Sequence, residues 1–289
     1  MTDNLKKAQI LSEALPYLQQ YHGKTMVIKY GGAAQGDESD ATIRAVISDI
    51  VLLSLVGISV VLVHGGGPEI NDMLKRVGKE PRFVDGLRYT DAETMDIVQM
   101  VLCGRVGKQL TQMIGEMGGK AVSFSGMDGR LLVADKLKDK DLGFVGELKE
   151  VNPLPLQIAI ENGYIPVVST IACNIGNEPG ISYNINADTA AASIAGALNA
   201  EKLILMTDVM GLMRDPKNPS SLISEVTLPE AAQLIKEGII SGGMIPKVDC
   251  CVEAIRQGVP RAHILDGRVP HSILIEVLSD HGIGTMIHR

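Results

Sequence analysis

Two apolar runs that each end in glycines constrain this chain more than any other feature. The first is Val27-Ile28-Lys29-Tyr30-Gly31-Gly32, and the second is Val60-Val61-Leu62-Val63-His64-Gly65-Gly66-Gly67-Pro68. Short apolar runs bounded by turn residues predict buried strands, and glycine permits the tight turns that follow. Pro68 suits the first turn of a helix over 69–77. A strand that stops at a glycine-rich turn near a helix start presents backbone N–H groups to anions. One such turn alone is an ordinary tight connection. Two of them, one led by Lys29, point to a phosphoryl-transfer site around which the rest of the chain is built.

Between the runs, a loop over 33–40 leads to a cap at Ser39 or Asp40. The helix it opens carries Ile43, Val46, Ile47, Ile50 and Leu53, and Gly57 closes it. Strand, helix, strand, helix is the signature of a parallel sheet with crossover helices, so the fold class is α/β with a mainly parallel central sheet. Thr90 or Asp91 can cap a helix over 92–104, and a separate amphipathic helix follows over 106–117. Further strands are expected over 121–125, 164–169, 202–206, 261–265 and 285–288, and further helices over 155–162, 189–198, 229–237, 248–257 and 270–279. The Lys- and Asp-rich stretch 131–151 alternates like a β-hairpin and is a candidate lid. Residues 5–21 read as a helix kinked at Pro16. This helix precedes the first strand, so it either packs on its own domain or reaches another subunit.

The 289 residues allow one large domain or two lobes with ample core. A net charge of −7 without a basic run excludes nucleic acid as an expected partner, and 3% aromatics weaken any stacking role. No apolar run reaches the roughly 18 residues of a membrane span. Residues 1–7 are polar and lack a signal peptide's core, so a cytoplasmic location is expected. Cys103, Cys173, Cys250 and Cys251 have no metal-ligand spacing and read as reduced thiols.

Phosphoryl transfer needs alignment and neutralisation of charge rather than covalent help. Lys29 and Lys247 both lie beside Gly-Gly turns, the second in Gly242-Gly243-Met244-Ile245-Pro246-Lys247. Asp188, in a first helical turn behind Asn184 and Asn186, is the candidate carboxylate that holds both ammonium groups. Arg88, after Gly86-Leu87, could bind a carboxylate with two parallel hydrogen bonds. His64 reads as a core or turn histidine, because a carboxylate or phosphate acceptor needs no deprotonation. The chain has no P-loop spacing, no GxGxxG and no GxSxG or HExxH motif.

KYGG at 29–32, VHGGGPEI at 63–70, GLRYT at 86–90, NINADTAA at 184–191, KLILMTDVMG at 202–211 and GGMIPKV at 242–248 resemble the acetylglutamate kinases of the amino-acid kinase fold. The resemblance spans nearly the whole chain and implies a three-layer αβα sandwich. It implies phosphorylation of the γ-carboxylate of N-acetyl-L-glutamate by MgATP, the second step of arginine synthesis. The alternatives are another amino-acid or carbamate kinase of this fold, or a non-catalytic nucleotide or amino-acid sensor. By the resemblance Lys29 and Lys247 stabilise the transition state and Asp188 organises them. Gly66, Gly67, Arg88 and Asn184 bind the acetylamino acid. Gly31, Gly32, Asp208, Gly211, Ser241, Gly242, Gly243 and Met244 face ATP, which itself holds the Mg2+, so no protein metal site is expected. Three segments follow: an arm over 1–24, an acceptor and dimerisation lobe over 25–180, and an ATP lobe over 181–289. Arginine-inhibited members are similar in carrying an extra kinked helix before the first strand, here with Glu13-Ala14-Leu15-Pro16-Tyr17. That implies a hexamer built as a trimer of dimers, with arginine contacting Tyr17, His263 and Glu276. The chain departs from the pattern at Ala33-Ala34-Gln35 and at Gly107, where members often have Asn-Ala-Met and Asn.

Overall fold

The computed structural model describes residues 3–31, 40–174 and 180–289. Gly32, the cap expected at Ser39 and the departure at 33–35 lie outside the described residues. Strand Thr25–Tyr30 is central, as its apolar run requires. It pairs in parallel with Ser59–His64 on one side and Lys202–Thr207 on the other. The sheet continues through Ile165–Ser169 to Ala121–Ser125 at one edge, and through Arg261–Asp266, Thr285–His288 and Glu225–Thr227 at the other. Of these pairings, that between Arg261–Asp266 and Thr285–His288 is antiparallel and the rest are parallel.

Side chains alternate across the sheet, so two cores form. Val27, Val61, Val63, Leu203 and Leu205 face one core with the alanine-rich helix Ala187–Ala197 and the helix Met244–Arg256. Met26, Ile28, Tyr30, Leu62 and Ile204 face the other, under the helix Asp40–Leu55 and the helical run from residue 92 to 116. Both faces are covered, which gives the three layers and explains why the inner strands are apolar on both sides. A second, four-stranded sheet stands apart. It contains the expected hairpin, Leu132–Lys136 and Gly146–Val151, with Ile171–Cys173 and Ser182–Asn184.

Two local expectations are corrected. Gly104 does not end a helix. Ala92–Gln99, a π-helical turn Met100–Val106 and Gly107–Glu116 run on without a break. The reason is that the buried face, Val98, Val101, Leu102, Val106 and Leu110, continues past Gly104, and a π-turn absorbs the mismatch in period. The helix expected from Val248 begins at Met244, which puts Lys247 in its first turn. Of the two caps proposed for the helix near Ala92, Asp91 is the one used: its side chain accepts from the Thr94 N–H. The N-terminal helix does break before Pro16, into Asp3–Glu13 and Leu15–Tyr21.

Candidate active site

Lys29 lies one residue before the end of its strand and is 5% exposed. A buried ammonium group needs a counter-charge. Asp188 supplies it, with Oδ1 2.9 Å from Lys29 Nζ, and Lys29 also donates to the Gly31 carbonyl at 3.1 Å. Lys247 reaches the same carboxylate from the opposite helix, its Nζ 2.8 Å from Asp188 Oδ2. Asp188 is itself held by the cap of its helix, for Asn186 Oδ1 accepts from the N–H of Asp188 at 2.9 Å and of Thr189 at 3.1 Å. Burial alone would push the Asp188 carboxyl up, but the two ammonium charges outweigh it and hold the group below its usual range. A strand end and two helix starts thus converge on one carboxylate flanked by two cations.

The cation pair opens into a cavity of about 290 Å³ lined on its far side by Gly66, Gly67, Arg88 and Asn184. Gly66 is required by crowding: a Cβ there would come 2.6 Å from Leu102 Cδ2 on the π-helical turn. Arg88 is 8% exposed, and its Nη2 donates to the Gly67 carbonyl at 3.2 Å and to Asn71 Oδ1 at 2.7 Å. Its guanidinium lies over the Phe83 ring, 4.7 Å from the centroid. Nη1 is buried without a partner among the described residues. Burial lowers the Arg88 pKa to about 10, which leaves it charged at neutral pH. A guanidinium, a glycine turn and two ammonium groups line one cavity, an arrangement whose charge suits an acidic molecule.

The Amino acid kinase family matches residues 24–266. An acetylglutamate kinase of Clostridium beijerinckii is 54% identical over 289 residues, covering 100% of both chains. Another, of Synechococcus elongatus, is 55% identical over 97% of this chain and 92% of its own. This chain belongs to the acetylglutamate kinases of the amino acid kinase family. Among solved structures, N-acetylglutamate synthase from Neisseria gonorrhoeae, complexed with coenzyme A and N-acetyl-glutamate, is similar with a TM-score of 0.83 and 27% identity. The match covers 98% of this chain and 63% of the synthase, so the chain spans less than two thirds of that protein.

Of the residues that the resemblance turns toward the nucleotide, those described do not line this cavity. Asp208 follows strand Lys202–Thr207 and is exposed, as are Ser241, Gly242 and Gly243 just before the Lys247 helix, which opens at Met244. Gly211 has φ +147 and packs so closely that a Cβ would come 2.6 Å from Thr285 Oγ1. Gly31 lies at the end of the Lys29 strand and is buried. His64 is fully buried beneath the glycine turn, its Nδ1 2.9 Å from the Gly65 carbonyl, and burial drives its pKa down to about 4. It is a neutral core histidine. The sequence reading missed Thr170, Phe83, Leu102 and Val145, which also line the cavity. Each arrives from a segment with no motif of its own.

His263 and Glu276 lie together in a second buried cluster, with Lys202, which the sequence did not single out. Lys202 Nζ is 3.0 Å from His263 Nε2, and His263 Nδ1 is 2.7 Å from Glu276 Oε1. Glu276 Oε2 accepts from the N–H of Ile283 at 2.9 Å and of Gly284 at 3.3 Å. The chain of contacts is satisfied by a neutral imidazole that accepts from Lys202 and donates to Glu276. Burial lowers the His263 pKa, in keeping with that, and burial lowers Lys202 to about 8. For Glu276, burial pushes upward, but its hydrogen bond from His263 and the two N–H groups hold it below its ordinary value. The Lys202 ammonium also faces the Tyr21 ring, 5.1 Å from its centroid, so the cluster touches the N-terminal helix. Tyr17, on that helix, hydrogen-bonds Asp280 instead of the cluster itself.

Proposed function

We propose that the chain transfers the γ-phosphoryl group of ATP to the side-chain carboxylate of N-acetyl-L-glutamate, in the cytoplasm, as the second step of arginine biosynthesis. The observation that carries this reading is Asp188 bridging Lys29 and Lys247 at the mouth of the cavity that holds Arg88. The α-carboxylate of the acceptor takes the free Nη1 edge of Arg88. Its γ-carboxylate lies toward the glycine turn and the lysines. The 25–180 lobe holds the acceptor, and ATP lies over the 181–289 lobe, near Asp208, Gly211 and the turn 241–244.

A γ-carboxylate oxygen attacks the γ-phosphorus, the bond from phosphorus to the bridging oxygen breaks, and ADP leaves. No base is needed, which agrees with a neutral, buried His64. Lys29 and Lys247 neutralise charge on the moving phosphoryl group, and Asp188 keeps them in place before the substrates arrive. A magnesium ion, if bound with the nucleotide, would supply further charge neutralisation beside Lys29 and Lys247. Among the described residues no three His, Cys, Asp or Glu side chains converge to hold a metal. Asp188 in turn gives both oxygens to lysines.

The test is a panel of acceptors with ATP: N-acetyl-L-glutamate, free glutamate, aspartate and carbamate, with ADP release measured. Turnover of N-acetyl-L-glutamate alone is expected. Phosphorylation of only another member of the panel, or binding of both substrates without ADP release, would overturn the reading.

Arginine inhibition is the second part of the proposal. The observation favouring it is the cluster of Lys202, His263 and Glu276 buried against the N-terminal helix. Glu276 suits a guanidinium, and Tyr17 stands at the same end of that helix. The helix also leaves Leu5, Ile10, Leu11 and Leu15 more than half exposed. Exchange of this stripe with a neighbouring subunit would bury it and link dimers into a hexamer. No helix among the described residues is long and apolar enough to cross a membrane, so the stripe is not part of a span.

A further inference from the structure

Arg88 does not sit on a rigid strand of the main sheet. It belongs to a two-stranded hairpin, Phe83–Val84 with Leu87–Arg88, that projects over the cavity. Its turn residues Asp85 and Gly86 have φ values of 49° and 81°, the left-handed pair of a tight hairpin turn. The guanidinium is held by Gly67, Asn71 and the Phe83 ring, but a two-stranded hairpin is marginally stable alone, so its backbone needs support from elsewhere.

The other hairpin, the candidate lid, supplies the support. The segment joining its strands Leu132–Lys136 and Gly146–Val151 docks on the exit of the Arg88 hairpin. Thr90 N–H donates to the Leu142 carbonyl at 2.9 Å, and Phe144 N–H donates to the Thr90 carbonyl at 2.6 Å. Gly143 sits so close that a Cβ would come 2.2 Å from the Thr90 carbonyl oxygen. Beyond this docked segment, Phe144 accepts from the Asn184 N–H at 2.9 Å, and Val145 lines the cavity. At the tips, Lys140 Nζ reaches Asp85 Oδ2 at 2.6 Å. Lys136 and Asp141 pair separately at 3.3 Å, so Asp141 does not compete for Lys140.

We propose that the Asp85–Lys140 ion pair is a latch between the two hairpins, and that these two residues position Arg88 for the acceptor. This rests on the reading of the cavity as the acceptor site. The latch lies at the outer ends of both hairpins, while the backbone bonds at Thr90 and Asn184 form the hinge side. Opening the latch therefore frees the Phe83–Arg88 tip without dismantling its base. Entry and release of the acidic acceptor follow its state. The pair is exposed, 67% at Asp85 and 43% at Lys140, so its strength is modest and sensitive to salt.

The experiment compares the full chain with Asp85→Asn, Lys140→Gln and the double variant, assayed with N-acetyl-L-glutamate and ATP at low salt. Asn tolerates the left-handed backbone at 85. Each single change is expected to raise the acceptor KM, up to about fivefold, the most an exposed pair supplies. The double change should add nothing further, and the KM for ATP should not move. Added salt should raise the acceptor KM more steeply in the parent than in the double variant, which keeps only the screening of the charged acceptor itself. Hydrogen exchange at amides 83–90 should quicken in all three variants. Acceptor KM values that do not move, or single effects that multiply in the double variant, would overturn the latch. So would a lowered Tm with no change in acceptor KM, since it would mark a purely structural pair. A parent chain that ignores N-acetyl-L-glutamate would instead overturn the acceptor reading, and the exchange measurement would still decide whether the tips are latched.

Discussion

Replacing Asp188 by Asn keeps the shape of the side chain and removes the one negative charge between Lys29 and Lys247. The contacts of 2.9 Å and 2.8 Å are short. At an effective dielectric constant near 20, an ammonium–carboxylate pair at such range attracts by about 6 kcal/mol. Most of that only offsets the cost of taking the charges out of water, so the net worth of the intact bridge is small. Removing one member is different, because it strands the partners. Lys29 is nearly buried, its side chain 6% exposed, while Lys247 at 23% can turn toward solvent. The expected loss of stability is therefore about 3 kcal/mol, the low end for a broken buried pair. Two ammonium groups without a carboxylate between them also repel and move apart. Loss of their placement should lower kcat by about 10²- to 10³-fold, the scale for a preorganised charge-stabilising group. Steady-state ADP release and urea unfolding measure the two effects. A second arm tests the coupling: Lys29→Ala and Lys247→Ala should each cost about 10²-fold in kcat alone and clearly less when added to Asp188→Asn, because the three groups act as one unit. An Asp188→Asn protein within about threefold of the parent kcat, or lysine effects that multiply with it, would refute the view that this carboxylate organises the cations.

Three other outcomes are expected. Arg88→Ala should raise the acceptor KM by about 10- to 100-fold, the range for lost hydrogen bonds to a charged group, with the KM for ATP little changed; equal effects on both substrates would remove Arg88 from the acceptor site. His64 titrates near 4 when folded and near 6.5 when unfolded, so the unfolded chain binds the extra proton as pH falls between those values. The stability it confers above pH 6.5 should drop by roughly 3 kcal/mol by pH 4, and this acid slope should be missing from His64→Gln in urea unfolding at the two pH values. Deletion of residues 1–20 should convert a hexamer to dimers by light scattering and abolish inhibition by arginine; a full-length dimer, or a truncated hexamer still inhibited, would sink the assignment of that helix.

The parts of the site that were legible in the sequence are those whose chemistry is local. A lysine at a strand end beside glycines, an aspartate behind an asparagine cap and an arginine after a Gly-Leu pair each carry their signal within a few residues. Physics then requires the rest: a buried ammonium group at Lys29 must find a carboxylate, and Asp188 is the one that meets it. What could not be read is what tertiary packing delivers. Leu102 reaches the cavity from the π-turn, against Gly66, and the same turn carries the helix through Gly104, where a glycine locally signals an end. Lys202 looks like the first residue of an apolar strand and nothing more. Its partner His263 lies on the adjacent parallel strand, and the registry of that pair, Ile204 opposite His263, is set by the whole sheet. Phe83 is a two-residue strand whose role appears only once the Arg88 guanidinium lies over its ring. Leu102 and Lys202 share a property: each acts through a neighbour that is distant in sequence. The same holds for Asp85 and Lys140, separated by 55 positions and joined at their tips. Substrate-facing chemistry in this chain is thus written in short motifs, while the placement of that chemistry is distributed over long-range contacts that no motif records. Substitutions at Lys29, Lys247 and Asp188 should act on kcat, whereas those at Arg88 and at the residues that position it should act on the acceptor KM.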